Sequence, residues 1–95
     1  MTELESVAFG KWLYRLREPI EVTVVNDGEF WYHEFPSLEI RAPGTTREES
    51  AEAFSEHFSS IWHWIAQAED NSLGPEAVDL KRKMLNLVES VESAQ

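Results

Sequence analysis

Phe35–Ile65 reads FPSLEIRAPGTTREESAEAFSEHFSSIWHWI. It holds an aromatic-proline step, a short apolar segment, a Pro-Gly turn and the opening of a helix. Thr46-Arg47-Glu48-Glu49 has the form of a capping box. In that motif the threonine side chain accepts from the amide three residues on, and the glutamate reaches back. At about 100° per residue, Ala51, Phe54, Phe58, Ile61, Trp62 and Ile65 fall on one face, which should lie on a sheet. Glu49, Glu52 and Glu56 gather on the opposite face with Ser60, His63 and Gln67. His57 and Trp64 lie on the flank between. The pattern predicts a helix over Thr46–Ala68. Before it, Leu38–Arg41 is predicted as a short strand, and the prolines at Pro36 and Pro43 suit an edge position.

Working backwards, Ile20–Val25 is rich in β-branched residues, with Ile20, Val22 and Val24 on one face. Asn26-Asp27-Gly28 is a hairpin turn, because glycine enters the left-handed region freely and Asn and Asp tolerate it. Glu29–Phe35 is the returning strand, with Phe30 and Tyr32 on one side and Trp31, His33 and Phe35 on the other. Thr2–Arg17 can be read two ways. Thr2 and Glu5 fit a capping box, and Leu4, Ala8, Trp12, Leu13 and Leu16 recur at helical spacing. Gly10 and the alternation of Trp12, Tyr14 and Leu16 argue for strand. Helix is the favoured reading, stopped by Pro19. Working forwards, Gly74-Pro75 starts a last helix with proline in its first turn. Leu73 and Val78 are placed as a hydrophobic staple. Ala77, Leu80, Met84, Leu87, Val88 and Val91 form the apolar stripe of this helix. The expected fold is α+β and a single domain over residues 1–95. It has a three-stranded antiparallel meander with a helix on one face, a C-terminal helix and an N-terminal helix.

The totals bound the function. Eighteen acids against eight bases give a net charge of −10, which repels nucleic acid and anionic lipid and favours basic partners. The absence of cysteine removes disulfides, thiolate catalysis and Cys-based zinc sites together. No apolar run reaches the roughly 18 residues of a membrane span, and the N-terminus lacks the order of a signal peptide, so a cytoplasmic protein is expected. His57 and His63, six apart on one helix, point about 120° away from each other and cannot share an ion. The serines have no glycine elbow, and the four glycines stand singly. No enzyme activity and no cofactor are expected. Lys81-Arg82-Lys83 is one basic run on one helix turn, too little for nucleic acid.

The aromatics are in excess. Trp12, Trp31, Trp62 and Trp64, with Phe30, Tyr32 and His33, exceed what one helix-on-sheet interface needs. They fill a Trp-rich core or form an exposed patch for a partner.

The order of residues also resembles a known family. Ile20, Val22 and Val24, then Asp27-Gly28 with Phe30, then Phe35-Pro36-Ser37-Leu38, then Gly44-Thr45-Thr46-Arg47-Glu48-Glu49-Ser50-Ala51, look like the N-terminal domain of HicB-type antitoxins. The similar stretch is about residues 20–65. Ser50 stands where that family usually has alanine, and Glu39-Ile40-Arg41 where it has Pro-Gly-Cys. The resemblance implies a toxin–antitoxin role: a sheet with a helix on it, binding a small basic ribonuclease toxin. The C-terminal DNA-binding domain common in the family has no counterpart in Leu73–Gln95. The expected function is an acidic protein-binding module that neutralises or regulates a basic partner. Glu49, Glu52 and Glu56 would steer the encounter, and Trp31, His33 and Trp64 would be the anchors. The alternative is a homodimer, joined through the aromatic sheet face or the last helix, with no toxin partner.

Overall fold

Residues 2–17 form strands and not a helix. In the computed structural model, which describes residues 1–93, β1 (Thr2–Phe9) and β2 (Trp12–Asn26) run antiparallel. Their turn passes through Gly10, whose φ of +59° suits glycine. Leu4 and Ala8, which fall at helical spacing, lie on either side of a register slip: Leu4 pairs Ile20, whereas Ser6 pairs Arg15. The extra residues bulge out of β2 around exposed Pro19, which has no amide to lose.

The hairpin at Asn26–Gly28 forms as its composition requires. The Asp27 carboxylate accepts from the amides of Glu29 and Phe30, and the Asn26 side chain accepts from Gly28. The chain returns as β3 (Trp31–Phe35) and makes a 3-10 turn over Pro36–Leu38 with Glu39 at φ 56°. It continues as β4 (Ile40–Gly44), two residues later than the predicted third strand. The far end of β2, β3 and β4 form the expected meander.

Helix α1 (Arg47–Ile61) is capped at Thr46, whose hydroxyl accepts from the Glu49 amide. The Glu49 carboxylate reaches back one residue further than a capping box demands, to the amide and hydroxyl of Thr45. The helix then widens into a π-helical turn, Trp62–Ala66. After a 3-10 turn at Asp70–Ser72, α2 (Pro75–Leu87) begins with its proline in the first turn. It ends four residues earlier than the apolar stripe suggests: Val88–Ser93 is a strand, β5, paired with Trp12–Leu16 of β2. Here a bulge produces the false spacing. Leu16 pairs Val88 and Arg15 pairs Ser90, so Glu89 is extra and Val88 and Val91 fall three apart. Ala94 and Gln95, included in the expected helix and domain, lie outside the described residues.

The result is an antiparallel sheet in the order β1-β2-β3-β4, with β5 also on β2. Tyr14, Leu16, Ile20 and Val22 of β2 face inward and meet Phe54, Phe58 and Ile61 of α1 and Met84 of α2 in one core. Each such side chain taken fully from water contributes about 1.5–3 kcal/mol. The opposite face shows Thr23, Glu34 and Arg41 in one cross-strand row and Val25, Tyr32 and Pro43 in the next, all exposed or half-buried. There Arg41 pairs with Glu34 at 2.8 Å and lies over the Tyr32 ring at 3.8 Å. Among the described residues no helix is long and apolar enough to cross a membrane.

Candidate functional site

A cleft of about 310 Å³ lies between β1 and the first half of α1. Its walls come from Thr2–Ala8 on one side and from Arg47, Glu48 and Ser55 on the other. His33, at the centre of β3, lines it. This side chain is 7% exposed, and its Nδ1 lies 2.5 Å from the Ser50 hydroxyl. Ser50 donates its one proton to the Arg47 carbonyl at 3.1 Å, so His33 Nδ1–H donates to Ser50. The Nε2 atom then carries the lone pair. Burial, with the Arg47 guanidinium second, holds the imidazole below its ordinary pKa of 6.5.

That shift has a sign. A histidine held neutral in the fold takes up its proton more readily when unfolded, so its contribution to stability is present above 6.5 and shrinks as pH falls below it. Urea midpoints between about pH 7.5 and 5 should fall more steeply for the native chain than for His33→Gln. Asp27, Glu49 and Asp70 are held below the usual carboxylate range, each chiefly by the hydrogen bonds it accepts. Their contribution is lost in a separate, more acidic window, near pH 4 and below.

A second polar cluster closes the far end of the core. Tyr14, fully buried, has its hydroxyl 2.6 Å from Ser59 Oγ and 3.2 Å from His63 Nε2. Trp12 packs on the His63 ring with centroids 5.0 Å apart, and Phe58 and Trp62 meet the Tyr14 ring edge-on. His63 belongs to the π-helical turn, which brings it inward from the solvent face where regular spacing places it. Ser50 and Ser59 are sealed at 0% and 4% exposure, so neither hydroxyl is placed to attack a substrate. Among the described residues no three His, Asp or Glu side chains converge to hold a metal ion.

The six candidate residues do not form one patch. Glu52 and Glu56 are exposed on α1 and make no ion pair among the described residues. Glu49 is exposed too, but its carboxylate is tied into the cap. Trp64 is 79% exposed, the most exposed aromatic among the described residues. Trp31 is half-buried on the His33 face of the sheet, opposite Asn26 and Gly44. His33 is an interior residue, so it cannot be a surface anchor; it reaches the outside only through the cleft. Tyr14, Ser50, Ser59 and His63 are not among the candidate residues the sequence pattern offers. Polar residues at inward positions of Trp12–Leu16 and of α1 were the available signal. Comparison with protein-family models, with curated proteins and with solved structures gives no match.

Proposed function

We propose that the chain is an acidic, HicB-like protein-binding module that neutralises or regulates a small basic partner. The observation that carries this reading is Trp64. A tryptophan left 79% exposed has no structural use where it stands, and tryptophan is among the side chains that most often anchor an interface. Glu52 and Glu56, on the helix that leads to it, are unpaired carboxylates that would draw in a cationic surface. The resemblance over residues 20–65 supplies the class of partner, a small ribonuclease toxin. Affinity purification from the native host should recover a small basic protein. Trp64→Ala, and charge reversal by Glu52→Lys with Glu56→Lys, should each weaken the purified complex by roughly tenfold or more, the latter with loss of its salt dependence. Equal affinity of all three proteins would rule out this surface.

The outer sheet face favours a second reading. Val25, Tyr32 and Pro43 stand in one row there, and Phe30, at 37% exposure, lies beside the hairpin. A homodimer through that face has no need of a toxin. Light scattering of the pure protein decides it: a monomer at micromolar concentration excludes the dimer.

A further inference from the structure

The cleft beside β1 has the shape of a strand's seat. One strand lines it from Thr2 to Ala8, and at about 3.3 Å per residue that is close to 20 Å of length. Leu4 and Val7 face the core side of β1, whereas Ser6 and Ala8 pair with outward residues of β2, yet all four line the cleft. Val22 of β2 and His33 of β3 line it too, so the cleft opens at the strand's edge and reaches inward beneath α1. That edge is free, because among the described residues β1 pairs with β2 alone. Its outward backbone amides and carbonyls are a template for another strand.

We propose that the groove between β1 and α1 receives an extended, lysine- or arginine-bearing segment of a protein partner, added as a strand to the free edge of β1. The inference rests on the reading above, that the partner is basic, and names where it docks. Two observations select the occupant. Glu3 and Glu5 are exposed on β1 and Glu48 stands on the opposite rim, with Glu52 about 40° further round the helix; Arg47 is the single cation lining the groove. A second copy of this chain would bring another pair of carboxylates to the same edge, so self-pairing is opposed while a basic strand is drawn in. Inside, His33 is nine-tenths buried, its Nδ1 is spent on Ser50, and its Nε2 has no protein partner among the described residues. That lone pair meets solvent through the cleft, and a lysine, arginine, serine or threonine side chain can donate to it in place of water. Main-chain bonds to the edge would give affinity and the groove would read alternate side chains, as in other cases of strand addition.

Three short acetylated peptides test it against the ¹⁵N-labelled protein: alternating lysine and valine, alternating glutamate and valine, and the lysine–valine peptide with every second backbone nitrogen methylated. The lysine–valine peptide should slow amide exchange within Thr2–Phe9 and move the His33 Nε2 resonance. Methylation, which removes main-chain donors and keeps the charge, should weaken it by about tenfold or more, and the glutamate peptide should not bind. Equal binding of the methylated peptide, shifts confined to Glu56 and Trp64, or no binding at about 1 mM would each overturn the groove. The two readings fail separately. If the whole partner binds through Trp64 while the peptide fails, only the groove falls. If the peptide binds and no basic protein is captured, the groove stands and the proposed function falls.

Discussion

Gly44→Ala should destabilise the protein by about 2–4 kcal/mol, seen as a drop of roughly 10–25 °C in melting temperature. The cause is steric. A Cβ at this position would stand 2.3 Å from the Ser50 backbone nitrogen and 2.7 Å from the Glu49 carbonyl carbon. Both atoms belong to the first turn of α1, which is held by its cap at Thr46 and by its contact with β4. Neither can yield as the tip of a flexible side chain would. Gly28→Ala is the control. That glycine has φ +96° and nothing within 4 Å of the added carbon, so only conformational strain is felt there, on the order of 1 kcal/mol. A chemical denaturation series on the two variants separates the effects, and equal losses would refute the clash.

Phe58→Ala should cost about 3–5 kcal/mol, while Trp64→Ala, six residues on, should change stability by no more than about 0.5 kcal/mol. Phe58 is fully buried, between the Tyr14 ring at 5.5 Å and the Phe54 ring at 6.3 Å. Its removal leaves a void that a strand and a helix cannot both collapse to fill. Trp64 loses little because it buries little. The order should reverse for partner affinity: Trp64→Ala should abolish or sharply weaken the complex at unchanged urea midpoint. A Trp64→Ala protein that melts far below the native one would show the indole to be part of the core.

Much of the fold could be read from the residues, and the misreadings share one physical origin. The hairpin at Asn26–Gly28, the cap at Thr46 and the start at Pro75 are local chemistry, visible in three or four letters each. The two misreadings, the N-terminal helix and the end of the last helix, were not local. At Val88 and Val91 a register shift turns the two-residue period of a strand into three, and a second shift lies between Leu4 and Ala8. Three is also a helical spacing, and only the partner strand, far away in sequence, decides between them. The site was less legible for the same reason. Ser50 is where this chain departs from the alanine of the pattern it resembles, and its hydroxyl holds His33. That pairing crosses from helix to sheet. The inward turn of His63 depends on the π-helical turn, which no run of side chains announces.

The pairing of β5 with the start of β2 also sets a timetable for synthesis. Arg15 and Glu92 form an ion pair 77 residues apart in the chain. On the ribosome, one edge of Trp12–Leu16 must wait until Val88–Ser93 has been made before that neighbour arrives. A chain still being made would carry that edge uncovered beside Tyr14 and Leu16, and such a strand pairs readily with others of its kind. Long-range closure of this type also slows folding. Nascent chains stalled before Val88 should therefore be the form of this protein most in need of a chaperone.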